Sequence, residues 1–540
     1  MSTIPLAVKG PVAGQARAAS ARRAPLALLA VGLVVALLSL LPLAYLAIRA
    51  AGADDQALAF VLRPRTIEIL VSTVALAALV GSGSVLVGVP VAWLTARARL
   101  PGRRFWSILT VVPLAIPSYV TGFAFVAAFG PRGALQDLLA PLGVERLPEI
   151  YGLPGAALVL VLATYPYVVL SVRAGFLAED RSLEDAGRTL GDDRRAVFRR
   201  VTLPLLAPAI AAGALLAVLY AISDFGAVSL LQFDSLSRAV YVQYRAAFDR
   251  SLAAVLALLL VGLTIAVTWG EARVRARARS YIARAPRRPV EPVDLGRWAW
   301  PAVAFLGAVV GLALGVPVVA IAFWLARGIR AGDGIDVLGA AVGETFATGA
   351  AAAAVAITLA LPVGVLVARH PSVIARLVER SSYVGFALPG VALALALVFL
   401  STNLVPALYQ TLALLIAAYG IRYLPQALGG VRAALVRLGT RPEESARTLG
   451  DGPAAAFVRA TLPAVRPTLL AGAALVFLTV VKELPMALIL GPIGFETLAT
   501  EIWGAASEGF YARAAAPAAI LLVLSAATVA VLVRDEASPG

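Results

Sequence analysis

The chain has 540 residues, of which 60% are hydrophobic and 14% charged, with a mean hydropathy of +0.88 and a formal charge of +15. So apolar a composition excludes a soluble domain, whose helices alternate polar and apolar faces. The lack of cysteine excludes disulfides and thiolate chemistry, and one histidine (His370) with two methionines (Met1, Met486) excludes His-rich and soft-ligand metal sites.

Twelve apolar spans are expected in chain order, near residues 25–48, 68–96, 105–129, 151–172, 203–223, 251–270, 301–325, 345–368, 383–401, 408–430, 467–483 and 513–533. Charge-free runs such as Leu26–Leu46 and Ala302–Leu325 are long enough to cross roughly 30 Å of hydrocarbon as helices. They show no period-two alternation, which favours helices over a closed barrel. Arg22 and Arg23 before the first run resemble the start of a signal peptide, yet that run exceeds the about 7–15 residues of a cleaved segment. It is kept as a span. The fold class is therefore all-α, polytopic and membrane-embedded.

The distribution of positive charge supplies an orientation. With the N-terminus inside, the cytoplasmic segments hold 33 of the 46 Lys and Arg residues and the external segments hold 10. That asymmetry is the positive-inside pattern, and it places both termini in the cytoplasm. It also explains the basic balance without nucleic acid. The stretch 271–298 carries eight arginines and three prolines and is expected to be a cytoplasmic linker beside anionic headgroups.

The chain repeats itself. Ala186-Gly-Arg-Thr-Leu-Gly-Asp192 corresponds to Ser445-Ala-Arg-Thr-Leu-Gly-Asp451, and the register continues through Phe198/Phe457, Arg200/Arg459, Thr202-Leu-Pro204/Thr461-Leu-Pro463 and Gly213/Gly472 at an offset of 259. Upstream, Pro90-Val91, Ala96-Arg97 and Pro117 match Pro362-Val363, Ala368-Arg369 and Pro389 at an offset of 272. Two homologous six-helix lobes result, 1–270 and 299–540, joined by the linker 271–298. An even number of spans per lobe makes them parallel repeats, with a pathway expected between them.

The best-matched segments are loops, about 181–204 and 440–463. Loops drift unless something binds them, so the match points to a shared contact. Each reads as a helix, a turn at Gly191 or Gly450 that needs positive φ, and a second helix leading to Pro204 or Pro463. These residues resemble the EAA loop of the permease subunits of binding-protein-dependent ABC importers. That pattern is Glu-Ala-Ala, three residues, Gly, then Leu-Pro about a dozen residues on. Here it is Asp185-Ala186-Gly187 with Gly191 and Leu203-Pro204, and Glu444-Ser445-Ala446 with Gly450 and Leu462-Pro463. Asp replaces Glu and Gly replaces the second Ala in the first copy, Ser replaces the first Ala in the second, and an extra acid, Glu184 or Glu443, precedes each.

The resemblance implies a type I importer permease whose loops dock into a separate cytoplasmic ATPase, in two copies, that binds ATP and Mg. The residues agree on the division of labour. A phosphate-cradling loop needs a lysine in a Gly-rich setting, and Lys9 and Lys482 are the only lysines. No cofactor, no catalytic residue and no stably bound metal are expected in this chain.

The cargo is suggested by the residues beyond each loop. Ser223-Asp-Phe-Gly-Ala-Val228, Lys482-Glu-Leu-Pro-Met-Ala-Leu488 and Gly494-Phe-Glu-Thr-Leu-Ala499 resemble the fused permeases of ferric-iron importers, fed by a periplasmic binding protein. Fused thiamine and aminoethylphosphonate permeases share much of the pattern and are the alternatives. From another class, a secondary transporter also has twelve helices in two halves, but it needs no matched loops. Asp224 and Glu483 occupy equivalent places after the loops. Carboxylates at membrane depth suit a hard cation in a passage, or they cap a helix or pair locally, as Glu483 with Lys482.

Overall fold

The computed structural model describes residues 24–52, 59–131, 133–144, 147–178, 182–246, 251–278, 292–332 and 336–537. Among these residues nine helices are long and apolar enough to cross a membrane, or eleven if each of two bent pairs counts as one span. The final expected span is carried by Tyr511–Ala537, whose described apolar stretch, Tyr511–Ala526, is shorter. Residues 279–291 of the expected linker lie outside the described residues. Val293–Asp294 beyond them pairs in parallel with Ala98–Arg99 at the end of the second span.

The helices form because nothing in them breaks the backbone ladder except proline, and membrane helices tolerate it. Pro90, Pro166, Pro208, Pro362, Pro425 and Pro467 all sit inside helices. Many large apolar side chains point outward, among them Leu86 at 77% and Val71 at 60% exposure, as suits a bilayer.

Two spans expected to be continuous are broken. The first lobe's third span divides into Arg103–Ala115 and Ser118–Leu142, which meet at 96°. In the second lobe one helix ends at Ala387 and the next begins at Gly390. Both breaks fall at the repeat-matched prolines. Pro117 has φ −59° and ψ 142°, and Pro389 has φ −56° and ψ 138°. Proline pushes the residue before it out of the helical region, and Ile116 sits accordingly at φ −81°, ψ 127°.

By compactness the chain divides into one unit of Met1–Leu40, Ala353–Phe386 and Gly420–Val476 and another of Leu41–Ala352, Ala387–Tyr419 and Phe477–Gly540. This division does not follow the repeat. Within the larger unit the lobes exchange half-helices. Ser118–Phe129 packs against Val316–Ala331 and Leu498–Ser507 of the second lobe, and Gly390–Leu404 packs against Leu236–Ala246 and Ser251–Ala278 of the first. Both half-helices are buried along nearly their whole length, so neither could face lipid.

Close helix approach is set by small residues, as expected where lipid gives apolar packing no advantage. In the first lobe a Cβ on Gly83 would lie 2.6 Å from Val161, and in the second a Cβ on Gly420 would lie 2.4 Å from Val355. Val355 and Gly420 are the repeat mates of Gly83 and Val161. The duplication has exchanged the small and large partners of one contact while keeping the contact.

Candidate coupling loops and the acids that follow them

The first loop is a short helix, Ser182–Thr189, then a turn, then Arg194–Val197 passing through a π-helical turn, Phe198–Thr202, into Leu203–Ser223. The second repeats it as Arg441–Thr448, Pro453–Ala456, Phe457–Thr461 and Leu462–Val481. The second arm of each loop therefore enters the span without a break. Pro204 therefore lies inside a continuous helical run, just past the π-helical turn, and its missing N–H leaves one bond of that ladder unmade.

The turn glycines adopt the conformation their position requires. Gly191 has φ +92° and Gly450 φ +100°, and a Cβ at either would have nothing within 4 Å. In both copies the backbone closes a Schellman motif. Gly191 N donates to Arg188 O at 3.0 Å and Asp192 N to Gly187 O at 3.1 Å, while Gly450 N donates to Arg447 O and Asp451 N to Ala446 O, each at 3.1 Å. Asp192 and Asp451 then hold Arg200 and Arg459 at 3.0 and 2.6 Å across the turn.

The loops present the same face outward. Asp185, Ala186, Leu203, Pro204, Glu444 and Pro463 are exposed, while Leu462 is half-buried on the core of Val431, Leu435 and Val465. Leu190 and Leu449, just before the turn glycines, are 87% and 89% exposed. Sequence reasoning did not single out these leucines, although both belong to the repeated Arg-Thr-Leu-Gly-Asp. The departure at Gly187 has a packing reason. A Cβ there would come within 3.3 Å of Val197, whereas its mate Ala446 faces a loop whose corresponding residue is Ala456.

Glu184 and Glu443 point the other way. Glu184 accepts from Thr202 Oγ1 at 3.0 Å and lies 3.8 Å from Arg97, whose side chain is 4% exposed. Glu443 accepts from Thr461 Oγ1 at 2.7 Å and from Arg369 at 3.0 Å, with Arg369 10% exposed. Arg97 and Arg369 are the last residues of Pro64–Arg97 and Asp336–Arg369. Their place in the repeat was the only sequence signal for them.

Asp224 and Glu483 are buried, 7% and 8% exposed. Asp224 follows Leu203–Ser223 and accepts from the amides of Ala227 and Val228 at 3.0 and 3.3 Å, capping Gly226–Leu230. Its other oxygen accepts from Ser118, the residue that opens the broken helix. Glu483 accepts from Met486 N at 2.9 Å, capping Pro485–Leu490, and from Tyr419 OH at 3.4 Å. Lys482 Nζ reaches across the repeat to Ala115 O at 2.5 Å, beside the break at Pro117. The acids thus tie each post-loop helix to a neighbouring element.

Two all-α lobes bearing matched loops of this geometry define the two-lobe permease class. Residues 88–280 and 360–534 match the family described as the inner membrane component of binding-protein-dependent transport systems, and the chain belongs to it. It is a multi-pass inner-membrane transport component. The Fe(3+)-transport system permease protein FbpB 2 of Haemophilus influenzae is 31% identical over 510 residues, covering 93% of this chain and 97% of that one. A probable molybdenum ABC transporter permease of Haloferax volcanii is 34% identical over 184 residues, 34% of this chain and 65% of that protein. The sulfate permease CysW of Escherichia coli is 31% identical over 159 residues, 29% of this chain and 54% of that protein.

Proposed function

We propose that this chain forms the translocation pathway of a ferric-iron importer, receiving its cargo from a periplasmic binding protein and its drive from two ATPase copies seated on the two loops. One observation carries the cargo: the likeness to the iron permease runs through both lobes, whereas the molybdenum and sulfate relatives match about one lobe's length. ATP and Mg belong to the ATPase, because this chain has no lysine in a phosphate-cradling loop. In this reading the loops, the arginine-rich linker and both termini face the cytoplasm. Asp224 and Glu483 set the shape of the passage where they cap the post-loop helices.

Uptake by proteoliposomes holding the chain, its ATPase and its binding protein tests the cargo. Labelled ferric ion should enter with ATP, and molybdate and sulfate should not compete; uptake of either oxyanion in place of iron overturns the iron reading and supports the oxyanion one. Orientation is tested separately in intact cells, cleanly because the native chain has no cysteine. An impermeant thiol reagent should label Ile493→Cys and spare Leu190→Cys, and the reverse pattern would invert the topology.

A further inference from the structure

Each coupling loop carries two adjacent acids that serve opposite sides. Asp185 and Glu444 are exposed, while Glu184 and Glu443 turn inward to a buried threonine and to an arginine, buried at Arg97 and 10% exposed at Arg369. We propose that Arg97–Glu184–Thr202 and Arg369–Glu443–Thr461 are the joints through which movement of a loop reaches the helices of its lobe. Residues Arg97, Arg369, Thr202 and Thr461 act as positioning residues. The inference rests on the coupling role of the loops and is independent of the cargo.

The loop helices have eight residues each, too few to be stable alone or to transmit force as a rigid rod. A push on such a helix is lost in bending unless a side chain ties it to something stiff. The arginine supplies the tie: it ends a helix of 34 residues in both lobes and its head is withdrawn from water. In the first lobe the Arg97 guanidinium also lies 5.3 Å from the Phe176 ring, near the end of Leu153–Ala178. The threonine sits in the π-turn where the second arm becomes the next span. Three elements therefore meet at one glutamate: the end of the second span, the loop helix and the start of the fifth span.

The joint is built twice, from residues at two different repeat offsets, and a contact between them is kept in both lobes. Low exposure makes each joint resist separation more than a surface pair does, with Arg369 hydrogen-bonded to Glu443 and Arg97 at ion-pair distance from Glu184. A topology anchor would leave these charges in water, where the rest of the loop's ion pairs lie. Arg200–Asp192 and Arg459–Asp451, for example, each have an arginine 73% exposed.

The test uses the full transporter with its ATPase. Spin labels at Leu142→Cys and Ile493→Cys, both exposed and expected on the outer side, report the change in their separation when ATP is added. Glu184→Gln with Glu443→Gln should lose most of that change while the ATPase still copurifies. The ATP consumed per solute molecule moved should rise by about tenfold, in the range usual for a coupling free energy between sites. Thr202→Val with Thr461→Val should give a smaller loss. Cysteines replacing Arg97 and Glu184, and Arg369 and Glu443, should be uncoupled until a short bifunctional maleimide bridges them. An unchanged label response in folded glutamine and valine variants, or bridging that restores nothing, overturns the proposal. Gly191→Asp with Gly450→Asp serves as the control for the underlying reading: if that variant also responds normally, the loops are not the coupling site at all.

Discussion

Replacing the turn glycines tests the loop geometry by backbone strain alone. Gly191 at φ +92° and Gly450 at φ +100° have nothing within 4 Å of an added Cβ, so the new Cβ meets no neighbour among the described residues. The whole effect comes from placing an L-residue in the left-handed region, about 1–2 kcal/mol per site. Relief requires the turn to relax towards negative φ, which breaks the bonds of Asp192 N and Asp451 N and releases the aspartates that hold Arg200 and Arg459. A cost of that size changes the population of the formed turn by roughly 5–30-fold. The series Asn, Ala, Val at both sites should therefore be graded, because asparagine visits this region most readily and a β-branched residue least. Hydrogen exchange at the Asp192 and Asp451 amides reads the turn, and ATPase retention on the purified chain reads docking. Both should fall in the same order. Equal damage from all three residues would point to bulk at a docking face, and tolerance of valine would show that the turn does not matter.

Gly213→Ala would set a Cβ 2.6 Å from Val168 Cα, whereas Gly472→Ala would set one 3.3 Å from Ala427 Cα. Overpacking of about 1–3 kcal/mol is expected for the first, and near neutrality for the second, where the gain of helix propensity, about 1 kcal/mol, offsets the closer contact; inactivation half-lives in detergent should separate them, and equal half-lives would refute the packing argument. If Asp224 acts as a cap, Asp224→Asn should preserve it and Asp224→Ala should cost about 1 kcal/mol; uptake lost equally in both, at normal folded yield, would instead show that the charge meets the cargo. Glu496 lies outside the spans, and its hydrogen bond with Glu501, with partial burial and the charge of Glu344, raises its carboxyl to about 6 against the pull of Arg513. The folded loop then holds that proton more tightly than the unfolded chain, so its contribution is full below about 4.5 and is lost as pH rises through about 6. Protection of the Leu498 amide should weaken across that window, and Glu496→Gln should abolish the dependence; identical profiles would count against the assignment.

Much of this protein is legible in its sequence because the signals are local. A charge-free run long enough for the bilayer, without period-two alternation, reads as a helix, as the runs 26–48 and 251–270 within Leu26–Ala51 and Ser251–Ala278 show. A glycine between two short polar helices declares a positive φ, and the fixed offset between Gly191 and Gly450 declares a duplication. Other features depend on partners far along the chain, and no period or spacing records them. Glu184 and Asp185 are adjacent acids on one short helix, and only the fold turns one onto Arg97 and leaves the other in water. Pro117 and Pro389 look like the many prolines tolerated inside spans. They break theirs because the half-helices beyond them find burial against the opposite lobe, which repays the lost backbone bonds. Asp224 and Glu483 are cap residues for the same reason: desolvation makes a buried carboxylate take every amide and hydroxyl within reach, and which ones are within reach is settled by packing.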